Sequence, residues 1–505
     1  MELLNKFFNW VMSRRIKQIE HFMQHPHDVQ YEVFSSLIGT ARHTEWGKKF
    51  HYSEISSVRE YQQRVPISSY EDLFPYIERM MKGEQNILWP TEIKNFAKSS
   101  GTTNARSKFI PMSNEALDGC HYKGGKDLLS VYFQRNPESR LFLGKSLSIG
   151  GSYQKNHLNS DSYYGDVSAI IMKNLPMWAE FIRSPGLEVA LMDKWEEKIE
   201  KMAQLTAKEN VTNIAGVPTW TLVLLQRILE ITGKDNITEV WPNLECFFHG
   251  AVAFGPYRET FTPLIPSEKM HYMETYNASE GFFGMQDTDN PDELLLMLDY
   301  GIFYEFIPIE EMDKEQPKAL TLDEVELGKN YAMVISTNGG LWRYLIGDTV
   351  KFTSQTPYRI KITGRTKHFI NAFGEEVVIE NAETAITEAC KITQARINNF
   401  TAAPIYLERG KKGGHEWVIE FIQSPSDFTL FVDTLDETLR KVNSDYDAKR
   451  YMDIALVKPV VHAAPEHTFY QWMKKRGKLG GQNKVPRLAN NREYLDDLLT
   501  MMASL

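Results

Sequence analysis

The sequence predicts an α/β protein with a large N-terminal body and a smaller mixed unit behind it. Three observations carry this. Helical patterns and short apolar strands are mixed throughout residues 1–362, which argues for helices layered on sheet. A boundary falls at Thr363-Gly364-Arg365-Thr366-Lys367, leaving residues 363–505 as a second unit of ordinary domain size. A chain of 505 residues also exceeds one ordinary core, so roughly two to four structural units are expected.

In chain order, residues 1–12 carry an apolar patch followed at once by Arg14-Arg15. A signal peptide has its charge before the apolar run, so an amphipathic helix docked on the body is expected here. Strands at 93–97 and 109–110 flank a hydroxyl-rich loop. Residues 194–209 read as a helix, with Trp195, Ile199 and Met202 on one face. Residues 219–232 are apolar and long enough for a buried helix. A short strand at 270–273 runs into a strand-end loop, 275–281. Residues 294–298 and 302–309 read as two strands around a glycine turn, and 331–336 and 358–362 as further strands. Beyond the boundary, strands are expected at 369–370, 417–422 and 454–459, and helices at about 380–390 and 428–442.

Bulk numbers narrow the function classes. A net charge of -9 argues against nucleic acid as a partner. No stretch approaches the ~20 apolar residues of a membrane span, so no membrane insertion is expected. Cys120, Cys246 and Cys390 are far apart and form no CxxC pair, which predicts a reduced, cytoplasmic setting. Histidines are scattered, with no HExxH, and the GxSxG nucleophile elbow is absent. Covalent Ser or Cys catalysis is therefore not supported.

Four segments suit a nucleotide. Ser99-Ser100-Gly101-Thr102-Thr103 continues to Arg106 and Lys108; its N–H groups and hydroxyls can wrap phosphate oxygens and its cations neutralise them. It is not a Walker A loop, because no GKS or GKT follows at the required spacing. Thr275-Tyr276-Asn277-Ala278-Ser279-Glu280-Gly281 offers one carboxylate beside hydroxyls, enough for Mg²⁺, which takes only one or two protein carboxylates. Trp342 to Asp348 ends a β-like run in Gly347-Asp348, and a carboxylate beside a glycine can accept both ribose hydroxyls. The fourth surrounds Gly480-Gly481-Gln482-Asn483-Lys484-Val485-Pro486-Arg487: residues 467–492 hold seven Lys or Arg and no Asp or Glu. Small residues at Gly250-Ala251 permit close backbone approach to a flat base. Each segment alone is an ordinary turn; their order makes the set informative.

That ordered set resembles the adenylate-forming superfamily of acyl-CoA synthetases, peptide-synthetase adenylation domains and luciferases. Within it the chain most closely resembles the auxin-responsive acyl-acid amido synthetase family, from about Phe34 to Leu499. The resemblance implies a large N-terminal domain of β-sheets flanked by helices and a small mobile α+β C-terminal domain. It implies an ATP-dependent ligase that makes an acyl-adenylate from a small carboxylic acid and then transfers the acyl group to an amino acid. ATP and Mg²⁺ are the implied cofactors. Residue by residue, Ser99 to Thr103 would embrace the phosphates with Lys108. Ser279 would touch the α-phosphate and Glu280 would bind Mg²⁺. Asp348 would hold the ribose with Arg365 close by, and Gly250, Ala251, Tyr276 and Ala278 would border the nucleotide. Lys484 would bridge acyl and phosphate oxygens as a catalytic cation, with Ser279 beside it. Gly151, Ser152, Val217 and Trp220 are candidates for the acyl pocket. Asn104-Ala105 stands where the superfamily usually has a second glycine, and Asn371 where many relatives carry Lys. An acyl-CoA synthetase and a non-catalytic nucleotide-binding relative stand as alternatives.

Overall fold

The computed structural model describes residues 15–99, 108–175, 179–192, 194–251, 254–291, 293–312, 314, 316–366, 369–375, 377–406, 412–450, 455–476 and 486–503. Residues 1–12, the loop from Ser100 to Ser107, Lys367, and the segment from Gly480 to Val485 with Lys484 lie outside the described residues.

One long mixed sheet organises the N-terminal part. Its parallel half runs Arg183–Ser184, Lys145–Ser148, Val211–Gly216, Cys246–Gly250 and His271–Ala278. Its antiparallel half continues through Gly281–Met285, Leu294–Leu296, Tyr358–Arg365, Tyr344–Gln355, Asn330–Thr337 and Ile302–Pro308. The change of direction falls at the hairpin between His271–Ala278 and Gly281–Met285. Parallel strands need helical crossovers that cover both faces, and such strands are apolar along their length. Val211–Gly216 accordingly buries its first four residues in a row.

The crossover helices carry their own start and stop signals. Pro218–Thr232 begins with proline, whose missing N–H is harmless in the first turn, and ends at Gly233 with φ +64°. It buries Leu222, Leu225 and Ile228 against Trp241 and Phe247. Trp195–Thr206 buries Ile199 and Met202 on one face, as the sequence pattern requires. On the N-terminal side, Tyr70–Met81 is held by a capping box: Asp72 N–H donates to Ser69 Oγ, and Ser69 N–H to Asp72 Oδ2 at 2.8 Å. A separate four-stranded sheet, in the order Lys108–Met112, Asn95–Ser99, Tyr163–Gly165, Tyr153–Lys155, lies beside the long sheet.

The C-terminal unit builds its own sheet from Arg396–Ile405, Gly414–Gln423 and Val460–Ala464. Alternation along the central strand sends Trp417 and Ile419 to the helices Ile379–Thr393 and Phe428–Val442, and Val418 to Thr468–Lys475 and Glu493–Ala503. Phe428–Val442 occupies the expected bounds: Asp427 accepts from Leu430 N–H at 3.0 Å, and Phe431, Leu435 and Leu439 face the core at intervals of four. The two units meet. Tyr257 donates its hydroxyl to the Ala372 carbonyl, Lys449 lies 5.1 Å from the Trp220 ring, and one apolar cluster holds residues of both.

Three expectations need correction. The strand placed at 454–459 lies at Val460–Ala464 instead; Pro459 has no N–H for the ladder, and pairing starts just after it. The strands at 294–298 and 302–309 form, but not with each other. Ile302–Pro308 pairs with Asn330–Thr337, while Leu294–Leu296 pairs with Gly281–Met285 and Tyr358–Arg365. The presumed loop 275–281 is strand through Ala278, with only Ser279 and Glu280 in the turn.

Candidate active site

Four of the segments singled out in the sequence leave the long sheet on one edge. Ile149 to Ser152 follows Lys145–Ser148, and Val217 to Trp220 follows Val211–Gly216. Ala251 follows Cys246–Gly250, and Ser279-Glu280 follows His271–Ala278. The strands are mutually parallel, so these are neighbouring carboxyl ends. Ligands of open α/β sheets bind outside carboxyl ends where the strand order changes, and Ser279-Glu280 stands at the change from parallel to antiparallel.

Asp348 is brought to this edge from the antiparallel half. It does not end a β run, as the sequence suggested, but lies inside Tyr344–Gln355 directly opposite Arg365. Gly347 adopts φ +94°, a conformation suited to glycine, and its carbonyl accepts Thr366 N–H at 2.8 Å. The Asp348 carboxylate accepts from Tyr276 OH at 2.6 Å on one oxygen and from Arg365 Nε at 2.7 Å on the other. It is nearly buried and directed, yet each carboxylate oxygen keeps further acceptor capacity.

Ser99 and Lys108 are register partners at the base of the hairpin that carries the hydroxyl-rich loop. Lys108 is set between two aromatic rings, 5.6 Å from Tyr70 and 5.8 Å from Tyr344, with its ammonium 3.3 Å from Tyr344 OH. Tyr70 OH accepts Phe109 N–H at 2.8 Å and so ties the capped helix to this hairpin. Tyr344 is held by two main-chain bonds to Ser68, from Ser68 N–H to Arg343 O at 2.8 Å and from Leu345 N–H to Ser68 O at 2.9 Å. Beneath it, Arg343 (φ +41°) makes a buried two-pronged pair with Glu305 at 2.9 and 3.0 Å and donates to the Gln62 and Val65 carbonyls. Tyr70, Tyr344 and the Arg343–Glu305 pair carry no signal in the sequence beyond the proximity of residues 343–344 to Asp348.

Glu280, at the hairpin tip, is partly accessible. Burial around the carboxyl pushes its pKa up; Lys108 opposes this, the Asp348 charge adds to it, and Arg365 opposes it more weakly. A cation delivered to Glu280 therefore meets a carboxylate that gains from it. Among the described residues no group of three or more His, Cys, Asp or Glu is gathered to hold a metal. A single carboxylate completed by phosphate oxygens and water fits Mg²⁺, which keeps most of its shell from water and substrate.

Among the remaining candidates, Gly250 is explained by close approach of a kind the sequence did not anticipate. A Cβ there would strike the Thr275 carbonyl of the paired strand. Ala251 next to it takes φ +70°. Gly151 faces Asp166, which would collide with any side chain at that position, and Asp166 accepts Ser152 N–H at 2.5 Å. The buried Lys198 donates to the Gly150 carbonyl at 2.6 Å and fixes the same loop.

Comparisons with known proteins place the chain in a family and a fold. The GH3 family N-terminal domain matches residues 15–270, the GH3 family central domain 295–365, and the GH3 family C-terminal domain 380–493. Indole-3-acetic acid-amido synthetase GH3.3 of Arabidopsis thaliana is 22% identical over 94% of this chain and 91% of its own. The structure of AtGH3.15 acyl acid amido synthetase in complex with 2,4-DB covers 97% of this chain and 96% of its own, at TM-score 0.64 and 17% identity. 2-Hydroxyisobutyryl-CoA ligase in complex with 2-HIB-AMP and CoA covers 95% and 93%, at TM-score 0.57 and 13% identity. The fold is thus that of adenylate-forming ligases, and the chain belongs to the GH3 family.

Proposed function

We propose that this protein is an ATP-dependent acyl-acid amido synthetase. The observation that carries the reading is the convergence of Asp348–Arg365–Tyr276, Lys108 and Ser279-Glu280 on one carboxyl-end edge, in a GH3-family chain. A carboxylate oxygen of the acid attacks the α-phosphorus of ATP and pyrophosphate leaves. The nitrogen of an amino acid then attacks the acyl carbon, and AMP leaves with the bonding electrons.

In this reading Asp348 accepts the ribose hydroxyls while Tyr276 and Arg365 hold its orientation. Gly250, Ala251 and Ala278 border the base. Ser99 to Thr103 and Lys108 hold the phosphates, and Ser279 contacts the α-phosphate. Glu280 would hold Mg²⁺, which would supply charge neutralisation between two anions that must meet. Lys484 supplies a second positive charge from the C-terminal unit, and Gly151, Ser152, Val217 and Trp220 line the acyl pocket. The strand Tyr358–Arg365 belongs to the long sheet, so the two working bodies would divide just beyond Arg365 rather than at 362, and relative motion would bring Lys484 to the reacting phosphate.

The test is product analysis by mass spectrometry with ATP, Mg²⁺, a panel of carboxylic acids, the common amino acids and CoA. Amide product with stoichiometric AMP and pyrophosphate is expected. Thioester as the dominant product would replace the reading with an acyl-CoA synthetase. Failure to exchange pyrophosphate with any acid would leave a nucleotide-binding protein without turnover.

A further inference from the structure

The carboxyl-end edge holds two buried polar atoms that the protein itself does not partner. Thr221, the fourth residue of the helix Pro218–Thr232, is 0% exposed, and its Oγ1 makes no hydrogen bond. His249, the penultimate residue of Cys246–Gly250, is 3% exposed, and its Nδ1 makes none either. Buried polar atoms are satisfied in the great majority of cases, because leaving one bare forfeits its hydration without return. Two such atoms close to the same carboxyl-end edge call for a partner from outside the fold.

Register places them together. Gly216 and His249 are paired across neighbouring parallel strands, so their side-chain directions leave the sheet on the same face. A Cβ built at Gly216 would stand 3.1 Å from Thr221 Oγ1 and 3.7 Å from Ile149 Cβ. Thr221 Oγ1 and Ile149 therefore pack directly on Gly216, on the face of the sheet to which His249 also points. Ile149 lies in the loop that carries Gly151 and Ser152, and Gly216 directly precedes Val217, residues assigned above to the acyl pocket.

The chemistry of the pair selects what it can hold. Burial, assisted by the nearby Arg258 cation, pushes the His249 imidazole down to about 3, so the ring is neutral at ordinary pH. A neutral imidazole and a hydroxyl present donors and acceptors but no charge. Its ring stacks on Phe254 at 4.1 Å, Phe247 lies at 5.3 Å, and the Arg258 guanidinium lies 5.3 Å from the far partner of that stack, the Phe254 ring. An uncharged group that both donates and accepts satisfies the two atoms at once.

We propose that Thr221 and His249 form a hydrogen-bonding subsite in the acyl pocket, and that the acid this enzyme activates carries an uncharged hydrogen-bonding substituent, a hydroxyl being the simplest. The inference rests on the acyl-activating function proposed above. The pair sets specificity and does not touch the reacting carboxylate.

The experiment measures pyrophosphate exchange by the full-length protein with matched aryl and indolyl acids, each unsubstituted and hydroxylated at each ring position in turn. At one position the hydroxyl should raise kcat/KM by roughly ten- to a hundredfold in the wild type, the scale for a buried polar pair gaining its partner. In Thr221→Val and in His249→Leu that ratio should fall toward one, through loss of turnover on the hydroxylated acid. A thermal melt of ligand-free Thr221→Val gives a second readout. Replacing an unpartnered buried hydroxyl by an isosteric methyl should raise Tm, whereas a lowered Tm would show the hydroxyl already satisfied and overturn the subsite. So would wild-type preference persisting in both variants, or no hydroxylated acid surpassing its parent, the outcome expected if resident water satisfies the pair. These failures, in an enzyme that exchanges pyrophosphate with the parent acids, leave the ligase function standing. Absence of exchange with every acid would instead remove the ligase function.

Discussion

The two halves of the candidate site are built on opposite principles. On the antiparallel side, every polar group traced above has a protein partner: Asp348 takes Arg365 and Tyr276, Lys108 sits against Tyr344, and Arg343 pairs with Glu305. On the parallel side, Thr221 Oγ1 and His249 Nδ1 are buried and bare. A self-satisfied frame costs no reorganisation when its ligand arrives and suits a ligand that never changes, as the nucleotide of the proposed reaction would be. Bare polar atoms in an apolar slot carry a penalty that only one class of ligand removes, and that is how a pocket discriminates. On the proposed function, the difference means that the two substrates of one reaction would be recognised by different means within one sheet edge.

The largest effect should come from breaking the frame beneath the nucleotide. Glu305→Ala leaves the buried Arg343 guanidinium without its carboxylate, an event that costs about 3–5 kcal/mol. Urea denaturation should show that loss, with the Ser68–Tyr344 connection failing early in hydrogen exchange. A loss under about 1 kcal/mol would mean that Gln62 and Val65 alone satisfy Arg343, on the scale of ordinary hydrogen bonds.

Next comes Glu280→Gln, which keeps shape and removes the charge meant for Mg²⁺. Pyrophosphate exchange should fall by roughly 10²–10³, the scale of losing one preorganised electrostatic contact. Wild-type exchange at low Mg²⁺ would remove Glu280 from the metal.

Asp348→Asn sharpens the comparison on the ribose. One acceptor oxygen and the charge opposite Arg365 are lost, so ATP and AMP should bind roughly ten- to a hundredfold more weakly by calorimetry. Alanine is the poorer test, because it also strips Arg365 and Tyr276 of their shared partner. Unchanged nucleotide affinity in folded Asp348→Asn would make the residue a strand-pairing element alone.

The smallest effect is on stability against pH. The Glu280 carboxyl has its pKa raised by burial, so the folded state holds a proton that the unfolded chain gives up at lower pH. Glu280 therefore penalises folding increasingly as pH rises from the ordinary carboxylate value through its raised one, and the penalty is complete above that. Glu280→Gln should consequently melt slightly higher than wild type at neutral pH, with the gap closing on acidification. A gap that widens on acidification would reverse the assigned shift.

Some of this protein was legible in the chain and some was not. Helix Phe428–Val442 and its cap are local: one periodicity and one Asp at the start settle them. Ser279, Glu280 and Asp348 were legible as residues because each stands in a short run of suitable chemistry. The strand at Val460–Ala464 was misplaced by a few residues, since an apolar run alone does not say which side of Pro459 can bond to a neighbour.

By itself the sequence determined the α/β class and the second unit, and it named the side chains proposed to meet a nucleotide, because composition, periodicity and turn chemistry act over a few residues. Only the tertiary structure decided that Tyr276 meets Asp348 across 72 positions, that Arg365 faces it, and that Tyr70 and Tyr344 enclose Lys108. It alone decided that Thr221 packs on Gly216, the register partner of His249. The physical reason is register: pairing distant strands is a global choice, made by the packing of the whole sheet, and a slip of one residue would turn the strand-borne side chains among these to the opposite face.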